Sequence, residues 1–373
     1  MTARSPCFIQ KSLPIRMCST LGSAGALPGR IPSPNRCPLP PWRGHDMREI
    51  IDLVPFVQAP EWGAWEPLAL TMILAAGVCA VAGGMAALRR ANPALVHVLA
   101  LTSLCAVTSG LMGVFVPLEQ PLRVWEFAVH PSFSSWTAWG AYILPLCFLS
   151  LLVLLRQSCT RRGPGKLVGA AAVCLGILAL AYATGEVRAC VGRALWTEYW
   201  SQLVLLAAGI VAACGLTLLA GLRLSFESFA RGGEHAVPLL GLGAACLGCT
   251  LLCAVMSLFV GALQGYAQFV DMWWHGPEAI MTLLALCALL LGSDSVPRLA
   301  VRGLVALFSA FLLLWKIIHM GEIFGRNASL YPARDAFADL LTLDALSAFG
   351  GTLGLLVLVA VLLPLVLPSP SRA

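Results

Sequence analysis

Long unbroken runs of apolar residues constrain this chain most, because about 20 such residues is the length an α-helix needs to cross the roughly 30 Å hydrocarbon core of a bilayer. The runs fall near 66–88, 94–116, 137–155, 166–184, 199–222, 237–262, 277–292, 298–318 and 346–366. Lipid offers no partner to backbone N–H and C=O groups, so a spanning segment has to satisfy them internally, as a helix does. The expected fold is all-α, a polytopic transmembrane helix bundle of about nine spans. The seventh run is short, and the break at Gly292-Ser-Asp-Ser-Val-Pro297 leaves open either a hairpin with the eighth run or one broken helix. Composition agrees: 59% of residues are hydrophobic and 11% charged, against about a quarter charged in soluble domains.

Residues 1–46 differ from the rest. They are rich in proline, contain no apolar run long enough for a signal-peptide core, and hold Arg4, Lys11, Arg16, Arg30, Arg36 and Arg43. Most of the formal net charge of +6 therefore sits in this tail, and the basic balance gives no reason to expect a nucleic-acid partner. Positive charge is retained on the cytoplasmic side of short loops. Arg89 and Arg90, then Arg156, Arg161, Arg162 and Lys166, then Arg223 and Arg231, then Arg298 alternate with more sparsely charged loops carrying Arg123, Arg188, Arg193, Arg326 and Arg334. This places residues 47–65 outside and the C-terminus inside. The basic tail conflicts with that orientation. Met47 is accordingly expected to be the initiator, with 1–46 a disordered or wrongly included extension and 47–373 the transmembrane domain. The 14 cysteines are scattered along the helices and read as small apolar packing residues, so no metal or cluster is expected in the chain.

With this threading, the polar and aromatic segments gather on one face. Quinone chemistry suits such a face: converting a quinol to a quinone releases two electrons and two protons, which calls for imidazole or carboxylate groups at the ring oxygens and an apolar cleft for the tail. Pro117–Gly140 is the densest such segment, with Glu119, Gln120, Arg123, Trp125, Glu126 and His130 between two apolar spans. Plainer roles compete. Glu66 before Pro67 fits an N-cap with proline at N1, Glu278 fits dipole compensation, and Glu119 with Arg123 fits a surface pair of little energetic weight. The tryptophans fit interfacial anchors, Lys316 fits a snorkelling side chain, and His97 fits packing. Lys316 and His319 share one helix face at i, i+3. His130 precedes Pro131, which favours an extended backbone there.

Three stretches carry a family resemblance. The first is the small-residue run Leu74-Ala-Ala-Gly-Val-Cys-Ala-Val-Ala-Gly-Gly84; the second is Arg123 followed by His130-Pro131, Ser134-Ser135 and Trp139-Gly140; the third is Thr184-Gly185 with Trp196. Together they resemble the quinone-interacting membrane subunits of polysulfide-reductase-type enzymes, the NrfD/PsrC family. The resemblance implies an eight-helix core, here with one further C-terminal helix, in the bacterial inner membrane. It also implies menaquinone or ubiquinone as an exchangeable substrate, no haem, and electron exchange with a docked four-cluster ferredoxin-like iron–sulfur subunit. That subunit would serve a molybdopterin catalytic subunit or a multihaem cytochrome. His130 becomes a quinone ligand by this analogy, with Glu66, Glu119, Arg123 and Glu186 lining the head-group or proton-exchange region beside Trp125, Lys316 and His319. Departures are the ninth helix, the long Gly321–Asp344 connection and Glu119 where an acidic-Gly-Arg run is common.

Rival readings are a haem b anchor using His130, His275 or His319, a secondary transporter, and an inert tether for an enzyme.

Overall fold

A computed structural model describes residues 62–118, 120–160, 163–191, 193–230, 239–263, 277–291, 295–323 and 339–366. These all lie in the unit Val54–Ala373. Expectations for the 1–46 extension, Met47, Glu119 and His275 fall outside the described residues. The helices are α1 (Trp65–Leu88), α2 (Pro93–Phe115), the short α3 (Glu126–Val129), α4 (Trp136–Ser158), α5 (Lys166–Ala189), the short α6 (Ala194–Thr197), α7 (Tyr199–Ala230), α8 (Leu239–Leu263), α9 (Pro277–Leu290), α10 (Val296–Ile323) and α11 (Leu343–Val366). Among the described residues, eight are long and apolar enough to cross a membrane. The exception among the nine expected spans is α9, whose 14 residues extend only about 21 Å at 1.5 Å per residue. It ends before α10 begins, and Arg302 of α10 reaches back to Leu291 O, which favours a hairpin of two helices over one broken helix.

Helices α1 and α10 are mostly enclosed by their neighbours, whereas α11 is almost wholly exposed. Leu146, Leu149, Val153, Ile177, Leu353, Val357 and Leu358 point outward, as lipid-facing side chains do. Polar side chains inside the bundle close on carbonyls of adjacent helices. Ser103 Oγ on α2 donates to Ala76 O on α1 at 2.6 Å, and Ser109 Oγ donates to Thr352 O on α11 at 3.1 Å. The buried Arg302 gives its Nε proton to Leu291 O at 3.1 Å, at the C-terminal end of α9, where a cation meets the negative end of the helix dipole.

Close helix approach depends on glycine. Gly77 faces Gly176 and Leu180, and Gly84 faces Gly169 and Val173, so α1 and α5 run antiparallel with backbones nearly touching, as small residues permit in lipid. A Cβ on Gly84 would come within 2.5 Å of Gly169 O. The Gly350-x-x-x-Gly354 pattern, expected at a helix contact, faces open space with nothing within 4 Å of either added Cβ. α11 presents those glycines outward and packs through its other side.

Gly84→Val is therefore expected to destabilise the bundle by about 1–3 kcal/mol through overpacking, lowering the thermal aggregation midpoint in detergent. Gly354→Val should leave it unchanged. Equal midpoints for the two variants would remove the α1–α5 contact as a determinant of stability.

Candidate functional site

Antiparallel packing brings the start of α1, the end of α2, the start of α4, the end of α5, α6, the end of α10 and the start of α11 to one end of the bundle. All acidic residues with described side chains lie there: Glu66, Glu126, Glu186, Glu198, Glu322, Asp339 and Asp344. The opposite end carries Arg89, Arg90, Arg156, Lys166 and Arg298. This division matches the one-sided distribution expected from the loops.

The innermost part of the acidic end is built on α10. Lys316, His319 and Glu322 recur at intervals of three, on one side of the helix. Lys316 is 3% exposed and its Nζ donates to Ser257 O on α8 at 2.7 Å, so it does not snorkel outward. His319 is equally buried. Its ring stacks on Trp315 with centroids 5.4 Å apart, and Nε2 lies 3.9 Å from Asp339 Oδ2. Glu322 Oε1 accepts the Trp62 backbone N–H at 2.7 Å, which joins the end of α10 to the entrance of α1.

Glu66 sits in the first turn of α1 behind the N-cap Ala64, so it is not the N-cap residue expected from its proline. The carboxylates of Glu322 and Asp344 are near enough to act on it electrostatically. Its Oε2 is buried with no hydrogen-bond partner among the described residues. A Cβ on Gly63 would lie 3.0 Å from Asp344 Oδ2 and 3.8 Å from Glu66 Oε2, so the two carboxylates converge over that glycine.

Aromatic rings close this region. Trp196 of α6 is 1% exposed, donates Nε1–H to Ile317 O at 3.1 Å, and lies 4.8 Å from the Trp62 ring. It fits only because residue 321 is glycine: a Cβ there would come within 1.8 Å of Trp196 Nε1. Arg193 Nη1 donates to Glu322 O at 2.6 Å, with its guanidinium 5.9 Å over the Trp196 ring.

Glu186 belongs to a second pocket of polarity between α4 and α5. Thr137 Oγ1 donates to Glu186 Oε1 at 2.8 Å, while Oε2 is buried and unpaired among the described residues. Tyr182 lies against Gly140, and Trp136 against Gly185.

The loop between α2 and α4 is different in kind. His130 and Trp125 are exposed. Arg123 grips Glu126 through Nε and Nη2 at 2.6 and 2.8 Å and Gln120 through Nη1 at 2.8 Å. The hydrogen bonds from Arg123 hold the Glu126 carboxyl below its ordinary pKa. Among the described residues Arg123 thus pairs with Glu126 at i+3, while the expected pair with Glu119 lies outside them. Of the residues marked from sequence, the fold brings Glu66, Lys316 and His319 to the α1–α10 end, puts Glu186 against α4, and leaves Arg123, Trp125 and His130 on an exposed loop. Sequence reasoning passed over Glu322, Asp339, Asp344 and Arg193 as site residues. The signal for Glu322 was its spacing from Lys316 and His319.

His97 is buried, with Nδ1 3.1 Å from Ser158 Oγ, and belongs to the packing of the opposite end. The cysteines are less scattered than their positions suggested: Cys246-Leu-Gly-Cys249 is a Cys-x-x-Cys on α8, and Cys253 follows one turn later.

The fold and this end define an integral membrane protein whose buried carboxylates, imidazole and indoles meet at one mouth of a helix bundle. The chain belongs to the family described as Polysulphide reductase, NrfD, whose family model matches residues 64–275. It is also 32% identical over 128 residues to the C subunit of tetrathionate reductase from Salmonella typhimurium, a match covering 32% of this chain and 36% of that protein.

Gly321→Ala is expected to displace the Trp196 and Trp62 rings while leaving the helices intact. An altered near-ultraviolet circular dichroism spectrum with an unchanged far-ultraviolet one would record this. An unchanged near-ultraviolet spectrum would show that the indoles are held elsewhere.

Proposed function

We propose that this chain is the quinone-reactive membrane subunit of a respiratory oxidoreductase, exchanging electrons with an iron–sulfur subunit docked on the acidic end. The observation that carries this reading is the Glu66 Oε2 atom, buried and unpaired among the described residues, at the end of the bundle where Glu322 and Asp344 act on the same carboxylate. A buried carboxylate oxygen with neither cation nor donor is costly to keep for packing alone, and a quinol hydroxyl is a donor of the right kind.

On this reading a quinol enters between the helices from the lipid, with its ring against the indoles of Trp62 and Trp196. Glu66 Oε2 accepts one hydroxyl proton, and His319, oriented by Asp339 and Trp315, accepts the second. Lys316 holds α10 to α8, so the imidazole keeps its place. Glu186, paired with Thr137, relays protons toward the aqueous surface. Electrons leave to the partner's centres. The exposed Arg123, Trp125 and His130, with the half-buried Glu126, form the rim on which the iron–sulfur subunit rests. The names of the family and of the relative favour a sulfur-compound reductase as the catalytic partner, and the reading puts the chain in a bacterial inner membrane.

The haem b and transporter readings find less support. His130 stands on an exposed loop, away from the buried His319, and α9 and α10 are separate helices rather than a broken span.

Glu66→Gln and His319→Ala are each expected to lower quinol-dependent electron transfer in the assembled complex by about 10²-fold, within the range for loss of a general acid or base. The iron–sulfur partner should still co-purify. Normal turnover in both variants would move the quinone site elsewhere. His130→Ala is expected to weaken partner retention instead, and unaltered co-purification would remove it from the docking rim.

A further inference from the structure

The end of the bundle opposite the acidic mouth holds a cavity that the proposed function does not use. It measures about 730 Å³ and lies where the α1–α2 turn meets the α4–α5 turn, with Arg90, Pro93, Gln157, Thr160, Gly163 and Lys166 in its wall. Its polar chemistry is one-sided. Arg90 and Lys166 are exposed there and have no hydrogen-bond or ion-pair partner among the described residues, whereas Arg123, Arg188, Arg193, Arg302 and Lys316 each donate to a protein oxygen. Gln157 Oε1 accepts the Gly165 N–H at 2.9 Å, which leaves the donor Nε2 as the unengaged half of its amide. The Thr160 hydroxyl donates to Gln157 O at 2.8 Å. No carboxylate with a described side chain lies at this end. Two cations and an amide donor without a counter-charge call for an anion rich in acceptor oxygens.

Retaining a turn on one side of a membrane takes positive charge but no particular place for it, and Arg89 serves that purpose as well as Arg90. Arg90 is held at a cost. Its N–H bonds to Ala87 O at 3.1 Å and the Ala91 N–H bonds to Ala86 O at 2.9 Å, the pair of bonds that closes a helix through a left-handed residue, usually glycine. Arg90 is that residue, at φ 51°, the one non-glycine with positive φ among the described residues. A long side chain kept where glycine fits better points to a task for its guanidinium. The helices around the cavity, α1, α2, α4 and α5, are all long and apolar enough to span a membrane, so a cavity at their ends lies at the level of lipid headgroups. We infer that it binds the phosphate of an anionic phospholipid, held between Arg90 and Lys166 with Gln157 Nε2 as a further donor. Basic recesses between spans suit such headgroups, and the bound lipid ties the α1–α2 turn to the α4–α5 turn. The inference rests on the membrane class of the chain and not on quinone chemistry.

The test uses the full chain in detergent, with native mass spectrometry counting bound phosphatidylglycerol or phosphatidylcholine at matched concentrations. The unaltered chain is expected to keep one phosphatidylglycerol in preference to phosphatidylcholine, and Arg90→Gly and Lys166→Gln are each expected to weaken that retention about fivefold. Arg89→Gln, which removes a charge beside the cavity but not from its wall, should leave retention unchanged. Glycine suits the backbone at position 90, so Arg90→Gly should keep the thermal aggregation midpoint, and lost lipid then reports the lost guanidinium; should the midpoint fall, Lys166→Gln alone decides. Equal retention of the two lipids, or a loss in Arg89→Gln as large as in Arg90→Gly, would overturn the site. Displacement of phosphatidylglycerol by equimolar inorganic phosphate would assign the cavity to the free anion and overturn the lipid as its occupant.

Discussion

A polar group inside a bilayer finds no water, so each one has to meet a partner within the protein or do something that repays its cost. Most of this bundle follows the first course. Ser103 and Ser109 reach carbonyls on neighbouring helices, Lys316 and Arg302 spend their protons on main-chain oxygens, and Thr71 bonds back to Pro67 O at 2.7 Å within its own helix. Against that background the buried, unpartnered Oε2 atoms of Glu66 and Glu186 stand out among the described residues. Both lie at the same end, on the helices α1 and α5 that glycine lets pack closest.

The positions of the spans were legible because apolar run length and the need for internal hydrogen bonding act locally. Each expected run has its helix, and the shortness of 277–292 already set α9 apart as the least certain span. The ends were less legible. Polar residues beyond the apolar run ended the eighth expected span at 318, yet α10 continues to Ile323, because Trp196 packs against Gly321 and the Trp62 N–H meets Glu322. That extra turn is what turns Lys316, His319 and Glu322 into a line. Glycine motifs show the same limit. Gly77 and Gly84 meet a partner helix and Gly350 and Gly354 do not, a difference set by which helix stands opposite.

The candidate site was legible by type more than by place. Imidazole, carboxylates, a lysine and indoles near one surface could be read from the loops, but density along the chain drew attention to Pro117–Gly140. There the groups are exposed and Arg123 satisfies Glu126 locally. The enclosed members come from α1 and α10, far apart in sequence, and the exposed Asp344 nears Glu66 only because α11 returns to the entrance of α1.

The two ends of the bundle divide their electrostatics in a way that fits one-sided chemistry. Arginine and lysine at the α1–α2 and α4–α5 turns serve retention of those turns on one side, and the carboxylates with described side chains are all at the other. Cations near them, Arg193 and Lys316, give hydrogen bonds to the carbonyls of Glu322 and Ser257, which fixes helix ends and leaves Glu66 without a salt bridge among the described residues. A buried carboxylate oxygen without a described partner is costly to keep, and under the function proposed above the hydroxyl proton of a bound quinol offsets that cost where no side chain does.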